Sequence, residues 1–293
     1  MARRSIRLRV GGLVLAVESD RPTPALDPPP GFDCFLAPRG GDIRLELTSE
    51  APPDARGVPL FESGGVWRVH RHGRGLLYSF RVPGRRPPVY KAVLVDSALR
   101  RGRLFFPPAD GGPRYALDYP LDELLFQHRL AREGALEVHG CGVVWRGRTL
   151  LFCGQSGAGK STTARLWRRH APGARVLSDD RIVLKPGRRG VRAWGTPWHG
   201  EGRFAAAACA PLGAVFFLSH GTATRVRALG GPEAAARLLA RGFPPPWDAR
   251  ALARALATCA EVAARVPAFD LAFRPDRSAV RAVQSAAARP PSG

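Results

Sequence analysis

The residues best equipped for chemistry in this 293-residue chain are Lys160 and Ser161, at the end of the stretch Gly154-Gln155-Ser156-Gly157-Ala158-Gly159-Lys160-Ser161, with Thr162 next. Their spacing is that of the phosphate-binding loop, GxxxxGKS/T, also called Walker A. Gly154, Gly157 and Gly159 let the backbone turn inward, so that successive N–H groups point at phosphate oxygens at the positive end of a helix dipole. Lys160 supplies a point charge for the β- and γ-phosphates, and the Ser161 hydroxyl can sit on Mg²⁺. The context fits: TLLFC (149–153) reads as a buried strand and TTARLWRRH (162–170) as the first turns of a helix. The pattern is hard to meet by accident because Lys91, Lys160 and Lys185 are the chain's only lysines. It implies binding of a nucleoside triphosphate, ATP with Mg²⁺; a glycine-rich turn without a ligand is the alternative.

Two acidic residues follow at the right distance. Asp179 and Asp180 stand about twenty residues beyond the loop lysine, at the end of an apolar run in RVLSDDRIVLK (175–185). Neighbouring residues on an extended strand point in opposite directions, so one carboxylate can serve the metal and the other a substrate hydroxyl. Taken alone, Asp-Asp-Arg also reads as a solvated turn with Arg181 as ion-pair partner. His139, before Gly140, is by itself more often a structural histidine than a functional one. The tight Arg146–Gly147 turn nevertheless brings its strand, LEVHGCGVVW (136–145), beside RTLLFC (148–153).

These groups need elements to hold them, and the texture of the chain changes near residue 118. Before it come short alternating runs, SIRLRV, GLVLAVES, DIRLELTS, VWRVHRHG, LLYSFRV, VYKAVLVD and RLFFP, split by Pro/Gly clusters such as Pro28–Gly31, Pro52–Gly57 and Pro107–Pro113. They predict an antiparallel β-rich module, 1–118, in which His70 and His72 are surface residues at a turn. Residues 120–133 predict an amphipathic helix, with Pro120 at its first position, Asp122 and Glu123 in its first turn and Gly134 as its stop. After the acidic pair, GVRAW (190–194) leads to a glycine-rich turn, GTPWHGEGR (195–203). Strands at 212–221, 223–229 and 269–273 follow, with helices at 232–241, 248–265 and from about Ser278. This makes an α/β (overall α+β) chain with a nucleotide-binding domain at 119–288 and a disordered tail, 289–293.

The net charge of +21 comes almost wholly from scattered arginine, with no run longer than two and no aromatic-interleaved basic stretch. That argues against a specific nucleic-acid site and for a solvated basic surface or an acidic peptide partner. Five cysteines without a CxxC pair (34, 141, 153, 209, 259) argue against a disulfide framework or zinc site and for the cytoplasm. Arg3, Arg4, Arg7 and Arg9 before GGLVLAV have the look of an export signal, but the apolar run is short and IRLRV alternates as a strand. No stretch has the ~18 apolar residues of a membrane span.

Residues 139–184, from His139-Gly140 through GQSGAGKST to LSDDRIVL, resemble the kinase domain of the HPr kinase/phosphorylase family. The His–Gly pair lies fifteen residues ahead of the loop's first glycine, as in that family, and the acidic pair follows at a similar distance. Among its wider relatives, the leading β-rich module and the GTPWHGE segment look closer to the serine kinases that tailor small peptides, lasso peptides among them. The nucleotide core is also similar to that of ATP-type phosphoenolpyruvate carboxykinases. The resemblance implies a P-loop kinase core that moves the γ-phosphoryl group of ATP to a serine hydroxyl of a protein or peptide. It implies Gly154 to Thr162 on the nucleotide, Lys160 on the transferring phosphate, and Ser161 with Asp179 on Mg²⁺. Asp180 would accept the hydroxyl proton, His139 would stabilise the reacting phosphoryl group, and Glu201 would be a second carboxylate to the metal. Thr162 stands where HPr kinases carry glutamate, and GTPWHGEGR replaces the Glu-x-Arg-Gly-Leu-Gly segment tied to the phosphorylase reaction. The family's later catalytic arginine has no recognisable counterpart here, and Arg203 is no more than a guess at its place. A metabolite-directed or carboxykinase-like enzyme and a non-catalytic nucleotide sensor stay open, as does assembly into a homo-oligomer.

Overall fold

The structure, a computed structural model, describes residues 4–20, 23–82, 89–107 and 115–288. The tail 289–293, Arg3 and residues 108–113 of the Pro107–Pro113 cluster lie outside them. The chain is a mixed α/β protein with two large sheets and, among the described residues, five α-helices. It divides into two compact units, 1–129 and 130–293.

The first unit is an eight-stranded sheet: β1 (Arg4–Val10), β2 (Leu13–Ser19), β3 (Ile43–Thr48), β4 (Phe61–Ser63), β5 (Trp67–His72), β6 (Gly75–Arg81), β7 (Val89–Val95) and β8 (Arg101–Phe105). Gly11 and Gly12, both at positive φ, close the β1–β2 hairpin, the pair of left-handed residues a two-residue turn requires. The spatial order is β1-β2-β3-β8-β7-β6-β5-β4. The sheet is mixed, not antiparallel throughout: β3 runs parallel to both β2 and β8. The long connection from 20 to 42 brings the chain back to its starting end, so β3 re-enters in the direction of β2. His70 is buried, not at the surface: it and Val69 point to opposite faces of β5, and both faces are covered at this point. Burial lowers its pKa, with the Arg68 charge adding to the effect.

Helix α1 (Leu121–Arg132) contains the boundary between the units. Residues Leu121 to His128 are all buried, Asp122, Glu123, Gln127 and His128 included, so the helix lacks the solvated face its pattern predicts. The second unit continues with β9 (Leu136–Trp145), β10 (Arg148–Cys153), α2 (Lys160–His170), β11 (Arg175–Ser178), β12 (Arg181–Gly187), β13 (Gly190–Gly195), β14 (Cys209–His220), β15 (Arg225–Leu229), α3 (Gly231–Leu239), α4 (Ala249–Arg265), β16 (Ala268–Phe273) and α5 (Arg277–Ala287). Its strands follow the order β10-β9-β12-β13-β14-β16-β15, with β11 on β9 and β10 also parallel to β14. Two long strands change neighbours partway. β9 pairs with β12 over Leu136–His139 and with β10 over Gly140–Trp145, and β14 leaves β13 after Pro211 to join β10 and β16.

Strand alternation builds the two cores. Leu150 and Phe152 of β10 face Trp167 of α2 and Val280 and Val283 of α5, while Leu151 and Cys153 face Leu238 of α3 and Cys259 and Val262 of α4. Each fully buried large side chain is worth about 1.5–3 kcal/mol relative to exposure. The strand expected at 190–194 is formed by β13, but 175–185 itself is not one strand. It breaks at Asp179–Asp180 into β11 and β12, which pair with different halves of β9. Among the described residues, no helix is long and apolar enough to cross a membrane. All five cysteines are free thiols.

Candidate functional site

The loop 154–159 leaves the end of β10 and enters α2 through Gly159, whose φ of 99° is open to glycine and strained for other residues. A Cβ there would also lie 2.7 Å from the ring of Phe273. Among the described residues, nothing accepts from the N–H groups of Gly157, Gly159, Lys160 or Ser161. They are the unpaired donors of a helix start, on a loop whose Gln155, Ser156 and Gly157 are exposed. Thr163 steadies the turn by donating its hydroxyl to the Gly159 carbonyl, 2.8 Å away, whereas Thr162 is half-buried. Ala158 donates its N–H back to Gln155.

Lys160 is buried and donates Nζ to the carbonyls of Gly154 (3.2 Å) and Gln155 (3.0 Å). Burial lowers its pKa, and the nearby Asp180 offsets part of that. The ammonium therefore lies across the loop with neutral carbonyls as its direct partners. An anion placed there gains more than it would from a hydrated surface lysine.

Ser161 donates its hydroxyl to Oδ2 of Asp179 at 2.7 Å. Asp179 is 1% exposed, and three backbone N–H groups from one turn complete its shell: Gly200 (3.0 Å) and Phe204 (3.3 Å) on Oδ1, Gly202 (2.8 Å) on Oδ2. A Cβ on Gly202 would lie 2.6 Å from Oδ2, which explains the glycine in this turn. Glu201 sits in the same turn but is exposed, and Arg203 is exposed at a φ of 53°. Among the described residues, no three His, Cys, Asp or Glu side chains form a metal cage. Ser161 and Asp179 nonetheless make a pair of hard oxygen donors, which suits an ion that keeps most of its shell from water and phosphate.

Asp180 points the other way. Its Oδ1 meets His139 Nε2 at 2.9 Å, and its Oδ2 pairs with Arg181. Burial alone would raise its pKa, but the His139 hydrogen bond and the Arg181, His139 and Lys160 charges outweigh that and hold it below the ordinary carboxylate range. The register of β9 and β12, which sets Arg181 opposite His139, brings these residues together. Arg181 is tied down by Glu137 at 3.3 Å and by stacking over Phe243, with 4.3 Å from guanidinium carbon to ring centroid. The Arg181 ion pair is thus present, while Asp179 is not solvated at all. The structure brings Lys160, Ser161, Asp179, Asp180 and His139 to one end of the sheet and leaves Glu201 facing solvent.

Several residues at this site have no sequence signal. Ser178 donates to the Trp198 carbonyl and accepts from the N–H groups of Asp180 and Arg181, so it shapes the break that separates the two carboxylates. Arg241, in the segment after α3, accepts the His139 N–H at its carbonyl. His220, at the end of β14, contacts the Gly157 carbonyl at 2.9 Å. The one available hint was the repeated glycine in Gly200-Glu201-Gly202, a mark of close backbone approach.

No curated protein matches the chain. A family model described as ScmC, SynChlorMet cassette protein ScmC, matches residues 123–274. That span is a little more than half of the chain and contains the glycine loop, the acidic pair, His139 and the 200–204 turn. The chain belongs to the ScmC family.

Proposed function

We propose that the second unit is an ATP- and Mg²⁺-dependent kinase of the HPr-kinase-like type, built on a P-loop core, that phosphorylates a serine of a peptide or small protein. The observation that carries this reading is the split between the two adjacent aspartates. Asp179 is bound to Ser161 at the helix start, and Asp180 is held by His139 beside the same loop. The unpaired N–H groups of residues 157 and 159–161, with Lys160, fit a triphosphate chain. Mg²⁺, when bound at Ser161 and Asp179, would neutralise charge building on the phosphate oxygens.

The chain's own residues would divide the work. Lys160 binds the β- and γ-phosphates, and Asp179 orients the Ser161 hydroxyl. Asp180 is a weak base, since its carboxyl lies below the usual range. It orients the acceptor hydroxyl and takes the proton late, as the oxygen bonds to phosphorus. His139 holds the Asp180 carboxylate and, through it, the angle of that hydrogen bond.

The test is a paired measurement on verified folded protein. Lys160→Ala should lose most triphosphate affinity or turnover, because a charge leaves a preorganised cradle. ATP turnover at the wild-type level in this variant would remove the nucleotide assignment. Asp180→Asn should bind MgATP normally while phosphate transfer to serine, read as a mass shift, falls by roughly 10²-fold or more. If Asp180→Asn changes nucleotide affinity alone and no peptide or protein is ever phosphorylated, the chain is a nucleotide sensor.

A further inference from the structure

The exposed side of α2 carries Arg165, Arg168 and Arg169, three and four residues apart and therefore on one face. With Gly202 and Phe204 they line a cavity of about 460 Å³. Like charges at this spacing repel and weaken a helix. The helix dipole favours Arg168 and Arg169 in the last turn but gives nothing to Arg165. Among the described residues, none of the three forms an ion pair; Arg168 instead lies over the Phe204 ring at 5.3 Å, which fixes its plane. Stability does not account for this cluster.

The cavity and the acidic site share a wall. Gly202 and Phe204, which line the cavity, are two of the residues whose N–H groups bind Asp179. Arg165 lies one helical turn beyond Ser161, a rise of about 6 Å, and Arg168 and Arg169 about 10–12 Å beyond it. An extended peptide advances about 3.3 Å per residue. An acceptor serine held at the Ser161 end of α2 would then bring side chains two to four residues away within reach of the guanidinium groups, which bind carboxylates through paired N–H donors.

We propose that this cavity is the recognition site for the acceptor peptide and takes Asp or Glu side chains two to four residues from the phosphorylated serine. The inference rests on the kinase reading above. It gives one patch of the +21 net charge a specific partner, an acidic peptide segment.

The experiment uses the full chain and three fluorescein-labelled serine peptides of one length. One carries Asp and Glu two to four residues from the serine, one Asn and Gln there, and one Lys. Binding is read by anisotropy for wild type, for R165Q/R168Q/R169Q, and for R188Q/R189Q/R192Q, which removes equal charge from the β12–β13 hairpin. The acidic peptide should bind wild type at least about tenfold more tightly than the neutral one, and R165Q/R168Q/R169Q should abolish that preference. The hairpin variant should stay within about twofold of wild type, and affinity for a non-hydrolysable ATP analogue should hold in both. Equal weakening in the two variants, absence of the acidic preference, loss of ATP-analogue binding, or displacement of the peptide by inorganic pyrophosphate would each overturn the proposal. Neutral and acidic peptides phosphorylated equally well would sink the cavity assignment but leave the kinase reading standing. Acidic peptide bound at the arginines, with no phosphate transferred from MgATP, would end the acceptor role and the kinase reading together.

Discussion

Asp179 and Asp180 share a residue type and a sequence position, and their surroundings differ in every respect that matters. Asp179 is buried with four donors, so Asp179→Asn puts an amide N–H₂ against N–H groups that need an acceptor. That variant should lose Mg²⁺ dependence and nucleotide turnover together and should melt earlier, as isothermal titration and thermal unfolding would show. Asp180 offers a pH test. Its folded-state pKa lies below the ordinary 3.8, so its stabilising contribution is fully present above that value and is lost as pH falls through the folded one. The difference in melting temperature between wild type and Asp180→Asn should narrow as the pH falls below about pH 4. A gap that stayed constant through that range would contradict the lowered Asp180 pKa.

At the scale of the element, the helices are held by their ends as well as by their faces. Asp248 caps α4 by accepting from the N–H groups of Arg250 and Ala251, and it pairs with Arg132. Asp248→Ala should cost about 1–2 kcal/mol from the cap, with further loss because Arg132 is left without its carboxylate, readable in urea unfolding. Gly159→Ala should act differently. It adds a methyl group to a left-handed residue pressed against Phe273, so it disturbs the start of α2, where the loop donors converge. Nucleotide affinity should fall further than global stability does, a contrast that parallel binding and unfolding curves would display.

Across the whole molecule, charge is the dominant feature. In the first unit, Lys91 is fully buried against Asp118, and burial pulls its pKa down to about 7 even with Asp122 raising it. Asp118→Asn removes the direct counter-ion of a buried ammonium and should destabilise the fold by about 3–5 kcal/mol, whereas replacing both partners by apolar residues of similar size should cost far less. On the outside, the +21 net charge should give only weak, sequence-blind binding to duplex DNA that vanishes steeply with salt. Sub-micromolar, sequence-selective binding at physiological ionic strength would reopen a nucleic-acid role.

What the sequence determined by itself is the local part. The strand–glycine loop–helix order of 149–170 is formed by β10, the loop and α2, and the late helices and the strand near 269–273 lie close to where periodicity and capping residues put them. Such features depend on a few neighbouring residues, whose φ preferences and apolar spacing are written in the chain. Only the tertiary structure decided how β3 runs parallel to both neighbours, that His70 and the polar side of α1 are buried, and that 175–185 breaks at the acidic pair. It also decided that the turn 200–204 closes on Asp179, that His139 faces Asp180, and that Glu201 does not join them. These outcomes turn on which strand edges meet and which backbone N–H groups remain unpaired once they have met. Residues far apart in the chain settle that jointly, and no local pattern records it.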